Sequence, residues 1–231
     1  MTEQIEHEDF TGTDPFTPVA RHLAVVTAGM SESSQATALA RELAEATAEG
    51  LSERGVVTEI HLIELRNLAR AITDGVLTQV LTSELEAALT EVAAADGVVA
   101  VTPTYQASYS GLFKMFWDLI DVENNPLDGI PVLMGATGGS ARHQLVTEYA
   151  MRPLFAYLHM EPTRRAVFAA TEDWGEATAD SVRDVPLQHR IAVAGADFAG
   201  VLLSRPARTR NATGADDQVS VVPFAELLHS L

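Results

Sequence analysis

The sequence predicts a three-layer α/β sandwich built on a five-stranded parallel sheet. Between residues 21 and 204, short apolar segments alternate with longer segments whose apolar residues recur at helical spacing. Two of the short segments, GVVAVT and IPVLMGA, are apolar at nearly every position, which is typical of parallel strands buried on both faces. Right-handed crossovers between such strands place helices on both sides of the sheet.

Composition limits the class of protein. The chain has 231 residues, 47% of them hydrophobic, which fits one domain with a real core. The absence of cysteine excludes disulfides, cysteine nucleophiles and thiolate metal sites. The net charge of −17 argues against a nucleic-acid partner. No apolar run is long enough to span a membrane, and the acidic N-terminus is unlike a signal peptide, so we expect a cytoplasmic protein.

The chain divides into a domain and two flanking segments. Residues 1–20 combine acidic residues with Thr, Gly and Pro and are expected to form a mobile tail. Residues 21–204 carry the alternating pattern and form the domain. Residues 205–231 form a C-terminal extension, polar at first and then apolar enough to dock on the domain.

The first half of the domain predicts two strands, two helices and one ambiguous segment. Residues 64–82 are ambiguous, with a turn expected at Asp74-Gly75. The elements, in order, are a strand at 21–28, a helix at about 33–54 ended by Gly55, a strand at 56–63 and a helix from about 81 to 95.

The second half predicts three strands and three helices. Pro103 is expected to end the first of these strands, and Pro153 to kink or divide the middle helix. The elements are a strand at 97–102, a short helix at 111–121, a strand at 130–136, a helix at 145–158, a strand at 165–171 and a helix at 186–204.

The loop after the first strand is rich in hydroxyl groups and leads directly into a helix. Backbone N–H groups at a helix N-terminus, together with serine hydroxyls, suit a phosphate without needing a cation. Neither a Walker loop nor the G-x-G-x-x-G fingerprint is present. Simple helix capping remains an alternative reading. The candidate residues are Ser31, Ser33, Ser34 and Gln35.

Two further loops follow the third and fourth strands. The first offers an aromatic ring, an amide and hydroxyls that suit a flat heterocycle, and the second offers paired glycines that allow close backbone approach. Ordinary surface turns would use the same residue types. The candidates are Pro103, Thr104, Tyr105, Gln106 and Ser108 in the first loop, and Thr137, Gly138, Gly139 and Ser140 in the second.

These three loops should meet at one edge of the sheet. Ligands of open parallel sheets bind beyond the carboxyl ends of the strands. A phosphate cradle beside two loops able to hold a flat ring indicates a mononucleotide cofactor, and FMN fits best. His143 is read as a structural histidine more readily than as a general acid, and Lys114 as a surface or salt-bridge residue. Motifs of serine hydrolases and zinc hydrolases are absent, and so are clustered ligands for a metal, so no metal site is expected.

Three stretches carry a resemblance to a known family: TPTYQASYSGLFKMFWDLID, GATGGSARHQLVTEYAMRPLFAYL and FAATEDWG. The chain resembles the NADPH-dependent FMN reductases of the flavodoxin-like superfamily, especially actinobacterial members that partner luciferase-like monooxygenases. The resemblance implies a flavodoxin-like sandwich. It also implies that residues 31 and 33–35 surround the FMN phosphate, that residues 103–106 with Ser108 lie along the isoalloxazine, and that residues 137–140 close its far side.

The expected activity is hydride transfer from NAD(P)H to FMN, with the chemistry carried by the flavin and no essential acid or base. The first loop lacks the arginine that many relatives carry, and Thr104 and Gln106 replace their Glu and Asn. Alternatives are a quinone, azo or metal-ion reductase with tightly held FMN, and a flavodoxin-like electron carrier. The resemblance implies a homodimer or homotetramer. The 111–121 helix is more apolar than a solvated helix needs, and core packing explains some of this while a subunit interface would explain the rest; its apolar residues are Phe113, Met115, Phe116 and Trp117.

Overall fold

A parallel sheet organises the chain. The computed structural model describes residues 20–175 and 185–208. Its strands are β1 (Ala20–Thr27), β2 (Val57–Glu64), β3 (Gly97–Tyr105), β4 (Ser108–Tyr109), β5 (Pro131–Gly138), β6 (Glu161–Pro162) and β7 (Val167–Ala170). The order across the sheet is β2-β1-β3-β5, followed by β6 and β7, which both pair with β5. These pairings are parallel, whereas β4 pairs antiparallel with β3.

The five predicted positions of the parallel sheet are therefore confirmed, and six of the seven strands occupy them. The fifth position is divided, because β6 and β7 pair with opposite halves of β5 and the chain leaves the sheet between them. Thr163 bridges this gap: its N–H donates to the Val132 carbonyl at 2.9 Å and its hydroxyl donates to the Arg165 carbonyl at 2.9 Å. The seventh strand, β4, is the return half of a short hairpin that the sequence did not predict.

Helices cover both faces and complete the three layers. The α-helices are α1 (Gln35–Ser52), α2 (Ala69–Thr78), α3 (Ser83–Ala94), α4 (Gly111–Trp117), α5 (Arg152–Tyr157) and α6 (Leu187–Leu203). One apolar core lies between the sheet and the α1–α6 pair. The other lies between the sheet and the helices α2 to α5. Alternate residues of each central strand enter the two cores, which explains why those strands are apolar throughout.

The turn predicted at Asp74-Gly75 is wrong, because both residues lie inside α2. Gly75 is buried, and a Cβ there would come within 3.3–3.4 Å of the side chains of Leu81, Leu85 and Leu119. The glycine thus serves close packing. The helix ends four residues later at Gln79, whose φ of 61° is left-handed.

Pro103 does not end its strand as predicted, because β3 continues through it to Tyr105. The Val101 carbonyl accepts from the N–H of Ala28 on the β1 side, and backbone groups alternate sides along a strand. The position of the missing N–H of Pro103 therefore also faces the β1 side, just past the last paired residue of β1 at Thr27. Proline is tolerated there because little of the ladder remains to be broken.

Other boundaries shift by a few residues. The break expected at Pro153 is present: a π-helical turn at Thr147–Met151 joins α5, which has the proline in its first turn. The helix predicted to reach residue 121 stops at Trp117, and Asp121 instead accepts from the Glu123 N–H at 2.9 Å in a turn. Phe113, Phe116 and Trp117 are buried in the core, and Met115 packs against it, so core packing alone explains that apolar helix.

The N-terminal tail falls almost wholly outside the described residues, as do residues 176–184 and most of the C-terminal extension. Within residues 20–175 and 185–208, no helix is both long enough and apolar enough to cross a membrane.

Candidate functional site

The strand register places the three candidate loops side by side. Thr27 at the end of β1 pairs with Val101 of β3, and Pro103 of β3 pairs with Thr137 of β5. Neighbouring strands lie about 4.8 Å apart, so the segments that follow them share the carboxyl edge of the sheet. The predicted proximity of the loops follows from this order.

The loop after β1, residues 29–34, is called the serine loop. It leads into α1, which begins two residues later than predicted because Ser34 is its N-cap. The Ser34 backbone is extended (φ −70°, ψ 126°), and its Oγ accepts from the Ala36 N–H at 3.2 Å. Ser31 and Ser33 are exposed ahead of the helix, and Gln35 is its first residue. Ser34 thus satisfies one N–H of the first turn, and the other serines have no comparable capping role.

Gly29 fixes the path of this loop. A Cβ on Gly29 would lie 2.3 Å from the Ser34 Oγ and 2.6 Å from the Thr37 Oγ1. The two buried hydroxyls of Thr27 and Thr37 lie 3.4 Å apart, and the Gly29 N–H donates to the Thr27 Oγ1 at 3.4 Å. The loop is therefore held tightly against the start of α1, and only glycine permits this approach.

The second loop is a two-residue hairpin. Gln106 and Ala107 both have positive φ, 49° and 68°, as a type I′ turn requires. Tyr105 and Ser108 face each other across it. The sequence signal for such a turn is Asn-Gly or Asp-Gly, and its absence explains why the hairpin was missed. Left-handed backbone at two non-glycine residues is strained, and such strain concentrates at functional sites.

Below the hairpin, hydrogen bonds anchor β4 to β3. The Thr102 Oγ1 accepts from the Ser110 N–H at 3.0 Å, and the Ser110 Oγ accepts from the Phe113 N–H at 3.2 Å as the N-cap of α4. This leaves Tyr105 and Gln106 exposed at the tip and Ser108 half-buried. The tip can therefore present backbone and side-chain groups to a ligand from a fixed base.

The third loop, residues 137–140, is called the glycine loop. It connects β5 to a short 3-10 helix at Ala141–His143. Thr137 is buried, while Gly139 is exposed with no atom within 4 Å of the position of a Cβ. At Gly138, by contrast, a Cβ would lie 2.9 Å from the ring of Phe168. The paired glycines thus have different roles: one allows internal packing, and the other leaves backbone open at the surface.

Two hydroxyls at this edge fit a polar ligand. The Thr104 Oγ1 and the Ser140 Oγ are both buried without a hydrogen-bond partner within the described part of the chain. Unpaired buried hydroxyls cost free energy, so their occurrence in two adjacent loops calls for a partner. The polar edge of a flavin ring supplies such partners, and the residues present therefore fit FMN.

A groove of about 390 Å³ adjoins the hairpin. Ala107 and Ser108 line one side, and Arg142, His143 and Tyr149 are among the residues on the other. The Arg142 Nε donates to the His143 Nε2 at 3.3 Å. Sequence reasoning missed Arg142, because only the fold brings it opposite the hairpin. Lys114 pairs with Asp118 on the surface, as predicted.

The sequence is similar to those of known FMN reductases. The family model for NADPH-dependent FMN reductases matches residues 22–175. The NADH-dependent FMN reductase SfnF of Pseudomonas fluorescens is 39% identical over 136 residues, which cover 59% of this chain and 70% of that protein. An FMN reductase (NADPH) of Pseudomonas aeruginosa is 37% identical over 135 residues, which cover 58% of this chain and 69% of that protein.

Solved structures share the fold. An oxidoreductase from Corynebacterium diphtheriae superposes with a TM-score of 0.74 at 38% identity, covering 81% of this chain and 99% of that one. The apo form of an NADH:FMN oxidoreductase has a TM-score of 0.65 at 21% identity, covering 90% of this chain and 98% of that one, a likeness of fold alone. The range matched by the family model contains all three loops. The chain therefore belongs to the family of NADPH-dependent FMN reductases.

Proposed function

We propose that the protein transfers hydride from NAD(P)H to FMN held at the carboxyl edge of its sheet. The observation that carries this proposal is the meeting of the serine loop, the hairpin and the glycine loop, with two unpaired buried hydroxyls, Thr104 and Ser140, among them. Membership of the FMN reductase family supports the same reading.

The phosphate of FMN would bind at the serine loop. The N–H groups of the first turn of α1 point out of the helix, and the helix dipole favours an anion there. Ser31, Ser33, Ser34 and Gln35 would add neutral donors. Local donors are needed because the net charge of −17 repels a phosphate at long range.

The isoalloxazine ring of FMN would bind between the hairpin and the glycine loop. Pro103 to Gln106, with Ser108, would lie along the ring, and Thr137 to Ser140 would close its far side. Hydride acceptance is the chemistry that bound FMN supplies. The role of these residues is to orient the ring, to shield it from water, and to place N–H and hydroxyl donors where negative charge accumulates. We assign no side chain as an acid or base.

The nicotinamide donor would approach along the groove beside the hairpin. Arg142 provides a positive charge there, which a dinucleotide's phosphates need in an acidic protein. Replacing Arg142 by Ala should raise the KM for NAD(P)H while leaving FMN affinity within about twofold, because the other loops hold the flavin. An unchanged KM would remove Arg142 from this role.

Two spectroscopic measurements test the proposed activity. FMN titrated into the purified protein should change its visible spectrum at one site per chain, and NAD(P)H absorbance should then fall at a rate that depends on FMN. Protein that neither binds FMN nor oxidises NAD(P)H in its presence would end the proposal. Tightly held flavin with quinone-dependent turnover would instead indicate a quinone, azo or metal-ion reductase. Bound flavin without NAD(P)H oxidation would indicate an electron carrier.

The reduced flavin is proposed to supply a luciferase-like flavin-dependent monooxygenase. The support is the resemblance to reductases with such partners. A purified monooxygenase of that class should oxidise its substrate when supplied with this protein, FMN and NAD(P)H, and added catalase should not abolish that oxidation.

A cytoplasmic location is also a prediction.

Self-association into a dimer or tetramer is also proposed, but it rests on exposed residues other than those of the 111–121 helix. The helix α4 is packed into the core, but Leu145, Tyr149 and Tyr157 are 53%, 78% and 64% exposed along the π-turn and α5 region. Aromatic and apolar residues exposed together are typical of an interface. Sedimentation at micromolar concentration should show a dimer or larger, and Tyr149→Glu should shift it toward the monomer. A monomeric parent protein would contradict this.

A further inference from the structure

Two histidines and two glutamates meet on the face of the sheet beneath α3, far from the candidate flavin site. His22 of β1 pairs in register with Glu59 of the edge strand β2. Because alternate residues of a strand share a face, His61 lies on the same side as Glu59. Glu91 approaches from α3, which covers this face.

The distances among these side chains suit a single ion. The His22 Nδ1 is 3.1 Å and the His61 Nε2 is 3.9 Å from the same oxygen, Oε2, of Glu59. One ligand atom from each of the three residues lies within 4.8 Å of the others. In a tetrahedral zinc site with bonds of about 2.0–2.1 Å, ligand atoms are separated by about 3.3 Å. The observed distances bracket that value.

One ring nitrogen of His61 faces Glu59, and the other faces the carboxylate of Glu91. Its Nε2 atom, which faces Glu59, is buried without a hydrogen-bond partner within the described residues. Its other nitrogen, Nδ1, lies 3.4 Å from the Glu91 Oε2. A carboxylate behind a histidine holds the proton on the far nitrogen and directs the lone pair of the near one at a metal.

We infer that His22, Glu59 and His61 bind one Zn²⁺ ion, with Glu91 acting as the positioning residue for His61. Two imidazole nitrogens and one carboxylate oxygen suit zinc and similar transition-metal ions, whereas Ca²⁺ and Mg²⁺ prefer oxygen ligands throughout. Three protein ligands leave the fourth position to water. The ion would tie the edge strand β2 to β1.

This site is separate from the flavin site. His22 precedes the last residue of β1, Thr27, by five residues, which is about 16 Å along a strand. Substitutions in the cluster should therefore leave flavin reduction unchanged, and the NAD(P)H:FMN turnover of each variant serves as a check that it is folded.

The test is competition for Zn²⁺ between the full-length protein and a chromogenic chelator. The parent should bind one ion with saturation below about 0.1 mM. His61→Gln and His22→Gln should each weaken binding at least about 100-fold, and Glu91→Gln about 10- to 100-fold. His189→Gln, an exposed histidine of α6, is the matched control and should leave the affinity unchanged.

Two further readouts separate coordination from loose association. Co²⁺ bound at the site should show the visible absorption bands of a tetrahedral centre, lost in His61→Gln. Zn²⁺ at 100 times its Kd should raise the Tm of the parent by about 5–10 °C and that of His61→Gln by much less. Absence of saturable binding, or equal binding by the parent, His22→Gln and His61→Gln, would overturn the inference and leave the cluster as ordinary ion pairs.

Discussion

At the scale of single residues, the candidate flavin site contains glycines with opposite surroundings. Gly29 is crowded by the side chains that begin α1, so any Cβ there would displace the serine loop. Gly139 has open space where a Cβ would stand. A substitution at Gly139 therefore leaves the protein's own packing intact and reports only on what approaches from outside.

Gly139→Ala is predicted to weaken FMN binding at least about tenfold, because a methyl group would separate the loop backbone from the ring, and one lost hydrogen bond corresponds to roughly that factor. Its unfolding free energy should change by less than about 1 kcal/mol. Fluorescence titration with FMN and urea unfolding provide the two values. Gly200→Ala, at an equally open position on α6, is the control and should leave FMN affinity unaltered. Equal FMN affinity in both variants would place the ring elsewhere.

Thr104→Val should separate stability from binding. The Thr104 hydroxyl is buried without a partner, so its removal should leave the unfolding free energy unchanged or slightly higher. FMN affinity should fall about tenfold if the hydroxyl pairs with the ring. In the matched variant Thr102→Val, stability should fall by about 1–3 kcal/mol, because the Ser110 N–H loses its acceptor. An FMN affinity unaffected by Thr104→Val would contradict the assignment.

The sequence located the three loops because residue type and strand order suffice for that. It did not reveal which hydroxyls lack partners, since Thr104 and Ser140 are distinguished only by the packing around them. Nor did it reveal the histidine cluster. Glu59 and His61 are two residues apart, but His22 joins them only through the register of β1 with β2, which no local pattern encodes.

At the scale of elements, periodicity predicted those whose apolar pattern is long or continuous. It failed where packing overrides local preference. In α2, a glycine that usually marks a turn is held inside a helix by leucine side chains. In the hairpin, Gln106 and Ala107 adopt left-handed backbone that neither residue type favours. In both places side-chain packing or strand pairing overrides the preference of the residue type, which a single sequence does not display.

An ion pair between Glu148 and Arg152 links the π-helical turn to α5. The Arg152 guanidinium donates to both carboxylate oxygens of Glu148, at 2.6 and 3.0 Å. This hydrogen bonding with Arg152 lowers the pKa of Glu148 below its ordinary value, and the pairing raises that of Arg152. A depressed carboxyl pKa contributes stability above the unfolded-state pKa, and that contribution disappears as the pH falls through the folded-state value.

Glu148→Gln should therefore lower the unfolding free energy at pH 7 by only about 0.3–0.5 kcal/mol, because the pair is partly exposed and screened by solvent. The difference from the parent should shrink as the pH falls through the lowered folded-state pKa of Glu148 and vanish once the carboxyl is protonated in both states. Urea unfolding across this range measures it, and added salt should reduce the effect at pH 7. A difference that persists undiminished at acid pH would assign it to packing instead.

At the scale of the whole molecule, the two ends of the sheet have separate tasks. The three loops of the candidate flavin site follow the carboxyl ends of the strands, and a buried charge cluster lies at the opposite ends. Asp96, just before β3, accepts from the Arg21 Nη1 at 3.0 Å and from the N–H groups of His22 and Arg208 at 2.8 and 2.7 Å. Arg21 also donates to the Arg205 carbonyl at 2.6 Å. One carboxylate thus joins the starts of two strands to the segment that follows α6.

Asp96→Ala is predicted to lower the unfolding free energy by about 3–5 kcal/mol, since it leaves the Arg21 guanidinium buried without its partner. Asp118→Ala, which removes an exposed partner of Lys114, is the control and should cost less than about 1 kcal/mol. Urea unfolding gives both values, with unchanged slopes showing that the folded state is retained. Because the cluster lies at the edge opposite the flavin loops, the FMN affinity of folded Asp96→Ala should match that of the parent. A loss of affinity without loss of stability would mean that the two edges are coupled.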